Sequence, residues 1–191
     1  SNILYDNSNN GYDGLALGTL GFNTSGHIGS AIEFDGDDKI FIPGNDTLNS
    51  LLNNETMTFS TWINVEPGIS GDPYILGLGK GNSYLGALIG LTLEPNGTVR
   101  FFTPALNMNY PQTWSTSTID DNSWHHVAAT INASTGGSST TIELYIDGLK
   151  EGTLSGIEWD TSQSSSNGYL DELFIGMVNQ NAANPQHYFD G

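Results

Sequence analysis

The chain has 191 residues, of which 21 are Asp or Glu and only 4 are Lys or Arg, so its formal net charge is −17. So few cations cannot build the basic patch that nucleic acids or anionic membrane surfaces require, and both classes of partner are excluded. The absence of cysteine excludes disulfide bonds, thiolate metal sites and a cysteine nucleophile. The length suits one domain, and we predict a single unit over residues 1–191.

Charged residues make up 13% of the chain, about half the usual share, which favours strands and polar loops over helices. Short apolar runs separated by turn residues predict strands at 28–34, 39–42, 57–65, 74–79, 85–93, 98–103, 113–119, 124–131, 140–146 and 169–175. In 57–65 and 85–93, apolar residues alternate and therefore share one face. The pattern predicts an all-β fold, a two-sheet antiparallel sandwich.

Turns and loops separate these runs. Asp147-Gly148 and Asn96-Gly97 are typical of tight hairpin turns. We predict long polar loops at 1–26, 132–139, 160–168 and 179–191, and a single short candidate helix at 46–54. The sequence contains no long apolar run and no basic-then-apolar leader, which we interpret as a mature or excised segment.

Six phrases occur in an order that resembles a known family. They are DNSNNGYDG at 6–14, IEFDGDD at 32–38, MTFSTWI at 57–63, WHHVA at 124–128, LYIDG at 144–148 and FDG at 189–191. Together they resemble the laminin G-like, concanavalin A-like jelly-roll domains, including the ligand-binding modules of large calcium-dependent (RTX-type) bacterial adhesins. The resemblance implies two packed antiparallel sheets with Ca²⁺ near one end. In that family the last phrase introduces a further strand, so either 169–175 fills that place or the chain is cut from a larger protein.

Two acidic segments have the composition of calcium sites, because Ca²⁺ takes oxygen ligands from closely spaced side chains. The candidate ligands are Asp6, Ser8, Asn10 and Asp13 in the first segment, Asp35, Asp37 and Asp38 in the second, and Asp190 near the end. The alternatives are a surface loop capped by its own Asx turns and a solvated acidic hairpin tip. We predict Ca²⁺ as the cofactor, an interpretation that the family resemblance strengthens.

The segment 107–114 combines aromatic rings with amides, which suits contacts to sugars or to a peptide backbone. The candidate ligand-binding residues are Asn107, Asn109, Tyr110, Trp114 and, from a neighbouring loop, Tyr84. The alternative is that Trp114 begins a strand and packs in the core.

Catalytic signals are weak. Glu158-Trp159-Asp160 resembles the spaced acids of glycanases with this fold, but the third acid is missing, and no Gly-x-Ser-x-Gly motif occurs. His125 and His126 are neighbours on a predicted strand and so face opposite sides; we expect one to be buried with a hydrogen bond, and Trp124 to cap the core. His27 is expected to be isolated.

We therefore predict a non-catalytic, Ca²⁺-dependent recognition module of an extracellular bacterial adhesin at the cell surface. Its partners would be glycans or peptide termini on another cell or surface and neighbouring domains of a larger chain, with the module itself monomeric. The alternatives are a Ca²⁺-stabilised structural spacer and, third, a glycan-degrading enzyme.

Overall fold

The computed structural model describes residues 3–8, 10–44, 56–79, 87–103, 110–133, 140–158 and 172–176. Within these ranges the regular elements are all β-strands, and none of the residues lies in a helix long and apolar enough to cross a membrane. The strands are β1 (Ile3–Leu4), β2 (Gly14–Leu17), β3 (Gly21–Ser25), β4 (Ser30–Glu33), β5 (Lys39–Pro43), β6 (Thr56–Asn64), β7 (Tyr74–Gly79), β8 (Ala87–Leu93), β9 (Thr98–Phe102), β10 (Gln112–Thr118), β11 (Trp124–Asn132), β12 (Thr140–Ile146), β13 (Leu149–Ile157) and β14 (Glu172–Ile175).

Most strands belong to two antiparallel sheets. The larger sheet has eight strands in the order β1-β2-β5-β14-β7-β8-β9-β10, and the smaller has four in the order β13-β12-β11-β6. In the described chain β3 and β4 pair only with each other, as a separate hairpin. The predicted all-β class and the two-sheet antiparallel sandwich are confirmed.

The two larger sheets bury a shared apolar core between their inner faces. In β11 the alternate residues Val127, Ala129 and Ile131 are fully buried, and Phe101 of β9 is the largest fully buried side chain among the described residues. The predicted apolar faces of 57–65 and 85–93 are confirmed where described, since Met57 and Ile89, for example, are both buried. Each buried Val, Ile, Met or Phe side chain contributes roughly 1.5–3 kcal/mol by leaving water.

The hairpin between β12 and β13 turns at the predicted dipeptide. Ile146 pairs with Leu149, and Asp147 and Gly148 between them have φ values of 51° and 79°. A two-residue hairpin turn of this kind needs positive φ at both positions, which Asp tolerates and Gly adopts freely. The turn at Asn96-Gly97 is also confirmed, with the Gly97 N–H donating to the Glu94 carbonyl at 2.9 Å.

Four strands were not predicted. The segment 1–26, expected to be a loop, contains β1, β2 and β3, and β13 follows the β12 turn where no strand was expected. β1 to β3 are only two to five residues long, too short for alternation to be visible, and β13 is largely exposed. The predicted helix 46–54 and the residues 85–86 and 169–171 lie outside the described residues.

Glu151 closes one side of the sandwich. Its carboxylate, on edge strand β13, accepts the backbone N–H groups of Thr116 at 2.9 Å and Ser117 at 2.7 Å, and also both hydroxyls, all on edge strand β10. Burial opposes ionisation of Glu151, but these hydrogen bonds outweigh it and lower its pKa. On the opposite side of the small sheet, β6 has only β11 as a strand partner among the described residues.

Candidate functional site

Three acidic side chains meet in the turn between β4 and β5. One carboxylate oxygen from each of Asp35, Asp37 and Asp38 lies within 4.8 Å of the others, and Asp38 is fully buried while the other two are exposed. The backbone N–H groups of Thr19 and Asp35 donate to the two oxygens of Asp38. Gly18 approaches so closely that a Cβ there would overlap the Asp38 carboxylate. The second predicted metal cluster is therefore assembled, with Asp38 fixing the turn.

This turn is electrostatically unfavourable while its exposed carboxylates are ionised. The pKa of Asp37 is raised because it hydrogen-bonds to Asp35 and is repelled by the charges of Asp35 and Asp38. A divalent cation between the two exposed carboxylates would relieve the repulsion, and a donor set made only of oxygens is one that Ca²⁺ accepts. The residues present fit a calcium ion, with Asp35 and Asp37 as the side chains that would hold it.

The first predicted metal segment is held together by its own hydrogen bonds. The Asp6 carboxylate accepts the Ser8 hydroxyl and the Ser8 backbone N–H, both at 2.7 Å, and the Tyr12 N–H at 3.1 Å. These bonds lower the pKa of Asp6 to about 2. Asp13 accepts the Asp6 N–H at 2.8 Å, and the Asn10 side chain donates to the Ser8 hydroxyl at 2.9 Å. The geometry is that of the capped surface loop, so metal binding by these four residues stays a prediction.

The predicted aromatic ligand site is only partly within the described residues. Trp114 lies on β10 with 43% of its surface exposed, directed away from the core rather than into it. Tyr110 is half-buried, with its ring edge-on to Phe102 at 6.3 Å. The remaining candidates lie outside the described residues: Asn107, Asn109, Tyr84 and the metal candidate Asp190.

The two neighbouring histidines have different partners, as the strand pattern predicted. His125 is mostly buried and hydrogen-bonds to two carboxylates, with Nδ1 at 2.8 Å from Asp147 and Nε2 at 3.1 Å from Asp121. His126 lies on the outer face of the small sheet, where its ring is 5.2 Å from that of Trp62. Trp124 is only half-buried and also lines the groove described next.

An apolar groove that the sequence did not predict opens between β4 and β6, and we call it the β4–β6 groove. Its volume is about 420 Å³. Core side chains form its floor: Phe34, Ile40, Ile63, Ile75 and Ile175. At its rim the ring of His27, in the β3–β4 turn, stacks on Trp62 with centroids 3.7 Å apart and planes 18° apart. The expectation that His27 is isolated is wrong.

Trp62 carried the signal that could have revealed this groove. Along β6 the core-facing residues alternate with Thr58, Ser60 and Trp62, so a large aromatic side chain falls on the polar face and is 39% exposed. His27 could not be connected with it from the sequence, because β3, the first strand of the hairpin that carries His27, was expected to be a loop. The groove also adjoins the acidic turn, since Phe34 and Ile40 of its floor flank residues 35–38.

Comparison with known proteins places this fold in a family. A model of the family Laminin_G_3, described as the concanavalin A-like lectin/glucanases superfamily, matches residues 34–191. The chain belongs to this family. Laminin G-like domains are typically extracellular. No curated protein sequence matches the chain.

Three solved structures share the fold of this laminin G-like chain. The binding domain of Paraclostridial Mosquitocidal Protein 1 is similar over 100% of this chain and 48% of its own length, with 14% identity and a TM-score of 0.65. The Ruminococcus gnavus IT-sialidase CBM40 is similar over 74% of each chain, with 15% identity and a TM-score of 0.56. Domains LG4-5 of the mouse laminin alpha1 chain are similar over 86% of this chain and 42% of their own, with 15% identity and a TM-score of 0.53.

Proposed function

We propose that the chain is a non-catalytic, extracellular recognition module that binds its ligand in the β4–β6 groove. The observation that carries this proposal is the groove itself, an apolar space of about 420 Å³ with stacked rings at its rim. Ligand pockets commonly have volumes of roughly 300–1,000 Å³ and are lined mainly by apolar and aromatic side chains. The names of the similar structures, a binding domain and a CBM40, support a binding role by analogy.

Calcium is part of the proposal. Asp35 and Asp37 would hold the ion, with the buried Asp38 fixing the turn beneath them, and the bound ion would supply positive charge between two residues of the groove floor. Neutralising this turn favours one arrangement of Phe34 and Ile40, and therefore one shape of the groove. Asp6, Ser8, Asn10, Asp13 and Asp190 remain candidates for a further ion.

The ligand in this proposal is a glycan or a peptide on another cell or surface, and the role is cell adhesion beside neighbouring domains of a larger chain. The rings of His27 and Trp62 offer flat amphipathic area for a sugar face or an apolar side chain. The charge of −17 on each copy favours a monomer. Of the glycanase-like segment Glu158-Trp159-Asp160, the structure describes only Glu158, which is exposed just after β13. The segment lacks the third acid of such enzymes, which supports a non-catalytic module.

A structural spacer is the second candidate. The hydrogen bonds within the Asp6 loop favour it, because they satisfy the polar groups at that end of the domain without a ligand. A spacer would be stabilised by Ca²⁺ and bind nothing on glycan or peptide arrays.

The test compares two tryptophans that are exposed to a similar extent. Arrays of glycans and peptides are probed with the chain in Ca²⁺ or EDTA, and a ligand found there is titrated against Trp62→Ala and Trp114→Ala. We expect Trp62→Ala to weaken binding roughly tenfold or more and Trp114→Ala to leave it unchanged. If only Trp114→Ala abolishes ligand binding, the ligand site is the predicted 107–114 segment and not the groove. If the arrays identify no ligand, the result favours the structural spacer.

A further inference from the structure

We propose that the β4–β6 groove takes an extended, cationic segment of a partner polypeptide, which adds to β6 as a new antiparallel or parallel strand. This inference rests on the proposed function and names the class of ligand. Three observations support it: the edge of β6 with which no described strand pairs, the apolar floor beside that edge, and the charge of the chain.

The backbone of β6 presents hydrogen-bonding groups to the groove that no described strand uses. His126 accepts the Asp147 N–H through its carbonyl at 2.8 Å and donates its own N–H to the Asp147 carboxylate at 2.8 Å, so both groups point away from β6. Trp62, opposite His126, therefore forms a non-hydrogen-bonded pair with it, and the Trp62 N–H and C=O point away from β11. The Trp62 carbonyl accepts the Thr61 hydroxyl at 3.2 Å, so the Trp62 N–H is the group of this residue that would pair with a ligand. By the same alternation, Thr58, Ser60 and Asn64 face outward. No strand of the described chain pairs with this edge.

The opposite wall of the groove is also a strand edge. β4 pairs with β3 on one side, and Ser30, Ala31 and Ile32 of β4 line the groove on the other. Between the walls the floor is apolar, as with Ile63 and Ile75, so alternate side chains of an inserted strand would be buried there. The side chains between them would point outward, towards Trp62 and His27. This geometry selects an extended chain with apolar residues at every second position.

Charge identifies the kind of segment. The groove is lined by no Asp, Glu, Lys or Arg among the described residues, but the chain around it has a net charge of −17. Lys or Arg at the outward positions of the segment would be attracted by this field, and one of them could lie against the Trp62 ring. A second copy of this chain is disfavoured as the occupant, because two such copies repel each other.

The experiment uses three peptides of nine residues, the length of β6. In the first Val alternates with Lys, in the second the same residues stand in two blocks, and in the third Glu replaces Lys. Binding to the 191-residue chain is measured at physiological ionic strength, and amide hydrogen exchange is followed by NMR. We expect one molecule of the alternating Val/Lys peptide per chain, roughly tenfold or more weaker binding of the other two, and slowed exchange of the Ser60 and Trp62 N–H groups.

A pair of variants separates backbone pairing from side-chain contact. Ser60→Pro removes an N–H that faces the groove, whereas Ser60→Ala keeps it, so only the proline variant should weaken binding, by roughly tenfold. If the proline variant does not fold, the alternating Val/Lys peptide is instead methylated on its backbone nitrogens. One version carries the methyl groups at odd positions and the other at even positions. Because one of these two sets of N–H groups would face β6, at least one version must lose binding.

Three results would overturn the inference. They are equal binding of the block peptide, protection of Ser60 and Trp62 by self-association without peptide, and no binding of the alternating peptide. If a glycan binds in a Trp62-dependent way while the peptides do not, the proposed recognition function stands and the strand inference alone fails. If neither binds, both fail.

Discussion

His125 lies between two carboxylates from different parts of the chain. A neutral imidazole has only one N–H, so hydrogen bonds from both ring nitrogens to the ionised groups of Asp147 and Asp121 require the charged form. Burial opposes that charge, but the hydrogen bonds and negative charges of the two carboxylates outweigh it, and the pKa of His125 is raised above 6.5. The cluster joins β11 to the β12–β13 turn and to the segment before β11.

This raised pKa predicts how stability depends on pH. The stabilisation from His125 is complete below its unfolded value near 6.5 and is lost as the pH rises through the higher folded value. NMR titration of the ring should give a pKa above 6.5. Asp147→Asn retains a residue that accepts positive φ and removes one charge, so it should lower that pKa. A value at or below 6.5 in the unsubstituted chain would contradict this account.

At the scale of residues, the sequence predicted which face of a strand a side chain occupies, but not which distant residue it contacts. Strand alternation was sufficient to predict that His125 and His126 point to opposite sides. Asp147 could not be identified as a partner, because it is 22 residues away and reaches His125 only through the pairing of β11 with β12. His27 and Trp62 likewise meet only because the β3–β4 hairpin lies beside β6 in the folded chain.

At the scale of elements, Glu151 adds a polar link between edge strands of the two sheets, whose inner faces share the apolar core. Glu151→Ala removes four hydrogen bonds to a charged acceptor and should lower the free energy of unfolding by about 1–2 kcal/mol, since the exposed donors on β10 regain water. Glu143→Ala is the matched control on the same sheet. It breaks a surface pair with Lys150, which is worth at most about 1 kcal/mol, and one hydrogen bond from the Tyr145 hydroxyl, but no contact between the two sheets.

Chemical denaturation measures the free energy of unfolding of both variants. Equal losses for Glu151→Ala and Glu143→Ala would show that the contact between β10 and β13 adds nothing beyond a surface ion pair. The stabilising effect of Glu151 should also decline in acid, as the pH falls through its lowered pKa, because its protonated form cannot accept all these bonds.

Burial alternates along three of the strands that the sequence predicted, β6, β11 and β12. β7 is instead buried on both faces, and its apolar run was enough to predict it. β7 and β12 have the predicted bounds. β2 and β3 escaped prediction because each is short and begins at a glycine. That omission also hid the groove, because one of its walls is the β3–β4 hairpin. No local sequence pattern indicates a space between two strands that are far apart in the chain.

At the scale of the whole molecule, a comparison of two salts distinguishes specific Ca²⁺ binding from general screening of the negative charges. We expect millimolar Ca²⁺ to raise the melting temperature more than NaCl of equal ionic strength does, because binding to the folded state alone adds to screening. The double variant Asp35→Asn/Asp37→Asn should lose this difference. Glu158→Gln, which removes a distant acidic charge, should keep it. Equal effects of the two salts on the unsubstituted chain would contradict calcium binding at the turn.

The class of the whole fold could be predicted from composition and alternation, whereas the groove that we propose as the ligand site could not. Trp114 and Tyr110 belong to an aromatic, amide-rich segment, which made that loop the natural candidate. The groove instead combines Phe34, Ile63 and Trp62 from strands that come together only in the folded sandwich.

The central claim is that the open edge between β4 and β6 is where this domain meets its target. A crystal structure of the chain, grown with Ca²⁺ and the ligand that the arrays identify, tests it most directly. The account predicts ligand density against Trp62 and along β6, with an ion held by Asp35 and Asp37. Ligand density beside Trp114, with the groove empty and the acidic turn free of metal, would contradict it.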